Sequence, residues 1–159
     1  MNLEKRKITL NETEKKICEY LAKSRYSCAR DNNVHNGKIG PQSNWETDLN
    51  GIGSEFAFCK MINVYPDLSI FPRKGGHDCL THKNKTINVK STKYKNGRLL
   101  TKMDTNPKDS DYFVLMVGQF PTYEFKGFIE SEMLIKKENI IDLGHGPGYG
   151  VEQGRLKIK

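Results

Sequence analysis

A change of hydrophobic period near Pro66 constrains the fold more than any other feature of this chain. Before Pro66 the apolar residues recur at helical spacing, and after it they alternate or form short apolar runs. The first pattern is typical of helices packed on one face, and the second is typical of β-strands. Because 159 residues provide for one core, we predict a single α+β domain over residues 1–159, with helices flanking a mixed sheet of four to five strands.

Two helices are predicted before Pro66. Asn11 has N-cap chemistry and an acidic first turn follows it, which predicts a helix over about 12–30. The segment 51–62 is apolar on nearly every side and predicts a helix packed deep in the domain. Residues 31–50 are rich in Asn, Gly, Pro and Ser, so they predict a long surface loop and complete an N-terminal part, residues 1–50, of helix and loop. Glu55 falls within the apolar face of the second helix, so its carboxylate needs a partner.

Strands are predicted wherever apolar residues alternate or run together after Pro66. The predicted strands are 70–71, 77–81, 86–92, 112–117 and 123–129, and a short helix is predicted over 130–137. The C-terminal segment 143–159 is rich in glycine, and its part 143–154 predicts a loop or an extended arm.

The strand 86–92 presents one polar face, on which Asn88 and Lys90 alternate with apolar residues. If the preceding turn is centred on Asn84, Asp78 lies opposite Lys90 and all three polar side chains converge. A two-residue turn at this position would instead direct Asp78 to the other face of the sheet. The predicted site therefore depends on the geometry of the turn.

An acid, an amide oxygen and a lysine on one sheet face, with a buried Glu55 nearby, suit a hard divalent cation such as Mg²⁺ or Mn²⁺. Such a cation activates water and polarises phosphoryl oxygens, and a neighbouring lysine offsets developing negative charge. Phosphodiester hydrolysis is the matching reaction. The alternative is an ordinary surface pair of an acid and a lysine across two strands.

Three segments carry a resemblance to a known family. They are Gly53-Ser54-Glu55-Phe56-Ala57, Gly75-Gly76-His77-Asp78 and Asn88-Val89-Lys90-Ser91-Thr92. In order and spacing they are similar to the motifs of the PD-(D/E)XK nuclease superfamily, which has the restriction-endonuclease-like fold, and in particular to small phage-type members. The resemblance covers about residues 51–134, where 111–115 and 126–129 are similar to the closing strands.

The resemblance implies a core of a helix, a three-stranded meander, a second helix and a further strand. It also implies a DNA endonuclease that uses Mg²⁺ or Mn²⁺ and no small-molecule cofactor, with a homodimer as a compatible state. Glu55 and Asp78 would be the acidic metal-site residues and Lys90 the catalytic lysine. Asn88 would occupy the second acidic position, and the Val89 carbonyl would add a ligand.

Asn88 departs from the family pattern, in which Asp or Glu is usual. An amide oxygen can bind Mg²⁺ but carries no charge, so metal affinity should fall. A natural variant that relies on Glu55 and Asp78, an inactivated protein and a domain that kept the fold without cleavage all remain open. Asp67, which follows Pro66, is an alternative first acid, but we prefer Asp78 because it begins the strand directly before the Lys90 strand.

Positive charge is concentrated around the predicted site. The chain carries 26 Lys and Arg against 19 Asp and Glu, and no acid lies between Asp78 and Asp104. We predict DNA contacts for the basic side chains of this stretch, which are Lys83, Lys85, Lys93, Lys95, Arg98 and Lys102. A turn at Asn96-Gly97 would present several of them. The alternatives are a DNA-binding module without cleavage, and an interaction protein whose basic hairpin docks on an acidic partner.

Other classes of protein find little support in the sequence. The chain has neither an 18-residue apolar stretch nor a hydrophobic N-terminal segment, so we expect no membrane association and a cytoplasmic location, compatible with a phage-encoded protein in a bacterial host. The four scattered cysteines predict reduced thiols. His77, Cys79 and His82 are interpreted as ordinary strand and turn residues rather than zinc ligands.

Overall fold

The structure is a computed structural model that describes residues 6–32, 44–71 and 76–159. The two long helices come early in the chain and most strands come later, apart from a short first strand, and a short helix lies among the later strands. They are β1 Lys7–Thr9, α1 Glu12–Asp31, α2 Asn44–Ile62, β2 Cys79–Leu80, β3 Thr86–Thr92, β4 Leu99–Lys102, β5 Tyr112–Gln119, β6 Thr122–Glu130, α3 Ser131–Leu134, β7 Ile140–Asp142 and β8 Pro147–Val151.

Two sheets form the β-part of the fold. The larger one has five strands in the order β1-β6-β5-β3-β2, in which β3 and β5 run parallel and the other neighbours antiparallel. The smaller one is antiparallel, in the order β4-β8-β7. A mixed five-stranded sheet with helices against it confirms the predicted α+β class.

The two faces of the larger sheet are covered by different elements. On one face, α1 and α2 pack against Ile87 and Val89 of β3. On the other face, Phe113 and Leu115 of β5 lie in a second cluster with side chains of β4, β8 and α3. Asn88 and Lys90 are the register partners of Phe113 and Leu115, so they lie on the side of the smaller sheet. This alternation leaves two polar side chains of β3 on the face opposite the long helices.

The helix predicted over 12–30 is confirmed by α1, and the apolar helix over 51–62 by α2. The predicted loop 31–50 is wrong at its C-terminal end, since α2 begins at Asn44. Glu46 provides the acidic first turn that favours a helix start, and Leu49 packs against the main core. Residues 33–43 of that loop lie outside the described residues.

The strand predicted at 70–71 is wrong, because the segment from Pro66 to Phe71 has no regular secondary structure. Two of its backbone carbonyls accept hydrogen bonds from a side chain, where a strand would bond to a neighbouring strand. The Arg25 guanidinium donates hydrogen bonds to the carbonyls of Asp67 at 2.7 Å and Ser69 at 2.9 Å. The strand predicted over 77–81 is shorter than expected and comprises only β2.

The glycine-rich segment 143–154 is also misread as a loop or arm, because it contains β8. Its glycines allow neighbouring strands to approach closely. A Cβ added to Gly148 would lie 2.7 Å from the Thr101 carbonyl oxygen, and one on Gly150 would lie 2.5 Å from Ile141 Cδ1. A composition that resembles that of a loop therefore reflects tight packing within the smaller sheet.

Four further features bear on the predictions. The short helix predicted over 130–137 corresponds to α3 followed by one 3-10 turn, Lys137–Asn139. Between β3 and β5 the chain forms strand β4, where the family resemblance implies a helix. All four cysteines are free thiols, as predicted. Among the helices of the described ranges, none is long and apolar enough to cross a membrane.

Candidate active site

The predicted site lies at the edge of β3, just beyond the end of β2. Cys79 pairs with Ile87 in the hairpin, and the Asp78 backbone N–H donates to the Ile87 carbonyl at 2.7 Å. Two residues further along β3, the Val89 N–H donates to Asp78 Oδ2, also at 2.7 Å. The Asp78 carboxylate thus takes the place that a partner strand would have on β3.

The hairpin register differs from the predicted one. Extending the Cys79–Ile87 pairing by one residue sets Asp78 opposite Asn88, whereas a turn centred on Asn84 predicts Lys90. The turn is centred on Lys83 rather than on Asn84, because the Thr81 N–H bonds to the Lys85 carbonyl and Asn84 adopts a positive φ of 56°. The slip is two residues, so Asp78 stays on the face of Asn88 and Lys90.

Asn88 has one satisfied and one unsatisfied side-chain atom. Its Nδ2 donates to the Gly76 carbonyl at 3.0 Å. Its Oδ1 is buried, and within the described part of the chain no donor lies within hydrogen-bonding distance of it. A buried acceptor without a partner costs about 1–3 kcal/mol, so this oxygen favours a ligand that can bind it. The Val89 carbonyl faces the same edge as the Val89 N–H, since both groups of one strand residue point to the same neighbour.

The pKa of Lys90 is affected by the charges of both predicted carboxylates. Burial lowers the pKa of Lys90, and the negative charges of Asp78 and Glu55 oppose that lowering. The positive charge of Lys102 adds to it. The Lys90 ammonium also lies 5.9 Å from the centroid of the Phe113 ring. A lysine with a shifted pKa beside two carboxylates is typical of functional sites.

Glu55 lies on α2, and one of its partners is a residue that the sequence analysis did not find. Arg25 Nη1 of α1 lies 3.6 Å from Glu55 Oε2, and both side chains are 17% exposed. The same guanidinium binds the carbonyls of the segment 67–69 described above. Arg25 therefore connects Glu55 to the chain that leads to β2. No local pattern identifies it, because its partners are 30 or more residues away in sequence.

The groups that the sequence analysis assigns to the metal site all offer oxygen donors. They are the carboxylates of Glu55 and Asp78, the unsatisfied Oδ1 of Asn88 and the carbonyl of Val89. Oxygen donors fit Mg²⁺ or Mn²⁺, and the buried Asn88 oxygen in particular is an acceptor that a cation would satisfy. Only two of the four carry charge, and the described residues include no group of three His, Cys, Asp or Glu side chains that could hold a metal ion.

The basic side chains predicted to contact DNA are exposed, except that Arg98 is half-buried. Two of them form ion pairs within the protein, Arg98 with Glu152 at 3.0 Å and Lys85 with Asp111 at 3.4 Å. The predicted turn at Asn96-Gly97 is present, with the Gly97 N–H bonded to the Tyr94 carbonyl. It connects strands of two different sheets and so is not a hairpin.

No family model matches this chain, and no curated protein is significantly similar to it. Its function has to be inferred from the side chains of the site and from the charge around them.

Proposed function

We propose that this chain is a metal-dependent endonuclease of the PD-(D/E)XK type that hydrolyses phosphodiester bonds in DNA. The observation that carries the proposal is the polar face of β3, on which the partly buried Lys90 lies two residues from the unsatisfied Asn88 oxygen, with the charges of Asp78 and Glu55 acting on the pKa of Lys90. An ammonium, two carboxylates and an unused oxygen together can bind a divalent cation and a phosphate group.

Each side chain has a defined role in the proposal. Glu55, Asp78, Asn88 and the Val89 carbonyl would hold Mg²⁺ or Mn²⁺, which lowers the pKa of bound water and polarises a phosphoryl oxygen. The Lys90 ammonium lies next to these groups and offsets the negative charge that develops on the attacked phosphate. Asp78 has a second task, because its bond to the Val89 N–H holds the strand edge and the site in register.

The order of elements supports the family assignment. Glu55 lies on a helix, Asp78 lies at the start of the next strand of the larger sheet, and Lys90 lies on the strand paired with it. The following sheet strand, β5, is parallel to β3. Strand β4 in place of the second helix is a departure, but it leaves the order of the site residues unchanged.

DNA is the proposed polyanion because the net charge is +7 and the basic residues cluster in the sequence next to Lys90. The exposed Lys102 supports this choice, because its positive charge contributes to the lowered pKa of Lys90.

One observation favours a second candidate, a DNA-binding module without cleavage. Asn88 contributes a neutral oxygen where the family has an acid, and a site with fewer charges binds Mg²⁺ more weakly. In that case the fold and the basic residues would serve binding alone.

Cleavage of a panel of labelled duplex, nicked, branched and single-stranded DNA decides between the two candidates. The panel is incubated with Mg²⁺, with Mn²⁺ and with chelator. The variants are Lys90→Ala, Asn88→Asp and, as the control, Lys126→Ala, which removes another partly buried strand lysine. We expect cleavage that needs the metal, falls about 100-fold or more in Lys90→Ala and persists in the control.

Cleavage that appears only in Asn88→Asp would identify a nuclease site silenced by one residue and would favour the second candidate for the natural chain. Absence of cleavage in every variant and metal would overturn the nuclease proposal. Metal-dependent cleavage that survives Lys90→Ala would contradict the role given to this lysine.

A further inference from the structure

An open cleft of about 770 Å³ lies beside the candidate active site. It runs between the segment 64–71 and β2, and Asp78 forms part of its wall, so the cleft and the site are continuous. We call it the aromatic groove, after Tyr65 and Phe71 in its lining.

Both aromatic rings are unusually accessible. Tyr65 is 79% exposed and Phe71 is 74% exposed, and the lining also includes the exposed side chains of Leu68 and Leu80. Single apolar residues on a surface need no explanation, but several gathered in one concave region mark a binding site. The groove offers planar, solvent-accessible surfaces within a cleft that reaches an Asp of the site.

The wall of the groove is held in place although it has no regular secondary structure. Arg25 binds the carbonyls of Asp67 and Ser69, and the Ser69 N–H donates to Asp67 Oδ1 at 2.9 Å. The Val64 N–H bonds to the Cys59 carbonyl at the end of α2. These bonds join the wall to both long helices, so the aromatic groove is preformed.

The aromatic side chains of the lining suit nucleobases. Nucleobases carry no net charge, and their flat faces stack on aromatic rings. The basic residues that suit phosphates lie on other segments, after β2.

We infer that the aromatic groove binds unpaired nucleobases of a DNA strand whose phosphate lies at the candidate active site, with the bases stacked on Tyr65 and Phe71. The inference rests on the proposed function and specifies its substrate class, namely DNA with a single-stranded segment beside the cut. A duplex cannot offer its base faces to these rings, because the faces are covered by stacking within the helix.

The test measures binding without cleavage. Fluorescence anisotropy in chelator gives the affinity of the full chain for a labelled 12-nucleotide single strand and for the same sequence as a duplex. The variants are Tyr65→Ala, Phe71→Ala and the conservative Tyr65→Phe. The control is Tyr20→Ala, which removes a tyrosine of α1 that is 66% exposed.

We expect Tyr65→Ala and Phe71→Ala each to weaken single-strand binding about fivefold or more, which is the effect of losing one stacked base. Duplex binding should change less than twofold, and Tyr65→Phe and Tyr20→Ala should bind as the unchanged protein does. Equal losses on both DNA forms, or no loss on the single strand, would overturn the inference. A change of sedimentation in Tyr65→Ala without a loss of single-strand binding would assign the groove to a second copy of the chain and also overturn it.

The result can be separated from that of the cleavage assay. If Tyr65→Ala and Phe71→Ala selectively lose single-strand binding but the protein never cuts DNA, the inference about the groove stands and the nuclease proposal is overturned. If cleavage depends on Lys90 but Tyr65→Ala and Phe71→Ala bind single strands unchanged, the nuclease proposal stands and the inference about the groove is overturned.

Discussion

Lys90 is the residue at which stability and the proposed chemistry oppose each other. Burial of its ammonium outweighs the attraction of Asp78 and Glu55, so the pKa of Lys90 lies below the ordinary lysine value. A lowered lysine pKa means that the charged form is less favourable in the folded protein than in the unfolded chain. The fold carries this cost for a group that, in our proposal, acts on phosphate.

Lys90→Met should therefore raise the free energy of unfolding at pH 7 by on the order of 1 kcal/mol, since methionine keeps the apolar part of the side chain and removes the buried charge. Between the lowered folded pKa and the unfolded value of about 10.4, the unfolded chain binds more protons, so the stability of the unchanged protein rises with pH. The advantage of Lys90→Met should shrink across that window. Urea unfolding at a series of pH values measures both effects, with Lys126→Met as the control, and a destabilised Lys90→Met would make Lys90 structural.

Among the single residues of the site, the sequence identifies those that can be recognised from their neighbours along the chain. Asp78, Asn88 and Lys90 stand out because alternation along a strand separates polar from apolar side chains within a few positions. Glu55 stands out because it interrupts an apolar helix. Arg25 gives no such signal, since its contacts depend on how α1 packs against distant segments.

Among the elements, α2 carries Glu55 and packs against both sheet and α1, so its own packing determines where that carboxylate lies. Two of its glycines, two positions apart, have different surroundings. Gly51 has no atom within 4 Å of an added Cβ, whereas at Gly53 the Cβ would lie 2.5 Å from Tyr123 Oη and 2.8 Å from Phe120.

We expect Gly51→Ala to stabilise the protein by about 0.5–1 kcal/mol, the usual gain in a helix. Gly53→Ala should destabilise it by about 1–3 kcal/mol, because Tyr123 is buried and cannot move aside. Thermal or urea unfolding of both variants checks the pair. Equal effects at the two positions would show that α2 does not approach β6 as closely as the structure has it.

The helices and strands were predictable where the hydrophobic pattern of a segment indicates the same structure as the hydrogen bonds that its backbone makes. Helices α1 and α2 and the long strands β3, β5 and β6 follow their patterns. The segment 70–71 has a strand pattern but its neighbouring carbonyls bond to a side chain, and β8 has a loop composition but a strand's neighbours. In both cases the deciding partner is remote in sequence, and single-sequence reasoning has no access to it.

For the molecule as a whole, the basic residues predicted to contact DNA differ in whether they form ion pairs within the protein. Arg98 and Lys85 are engaged by Glu152 and Asp111, so the members better suited to contact phosphates are Lys83, Lys93, Lys95 and Lys102. If DNA is the partner, binding should weaken steeply with salt, because each phosphate contact releases counterions.

Replacing Lys93, Lys95 and Lys102 together by Ala should flatten the plot of log affinity against log salt by about 2–3 units, close to one per lost contact. A control variant that replaces Lys7, Lys16 and Lys23 removes the same charge from β1 and α1. Affinity measured between about 50 and 200 mM salt gives both slopes. Weak, salt-insensitive DNA binding in the unchanged protein would instead point to an acidic partner protein.

The carboxylate of Asp78 also covers a backbone donor on the open edge of β3. Beyond β2 the edge of β3 presents an N–H that an extended segment of another chain could pair with, and Asp78 already occupies it. This bond would be useful with or without the proposed cleavage, so an acid at position 78 is a weak marker of catalysis. The lowered pKa of Lys90 indicates that its charge is disfavoured by the fold, so under our proposal Lys90 is the better marker of an active enzyme.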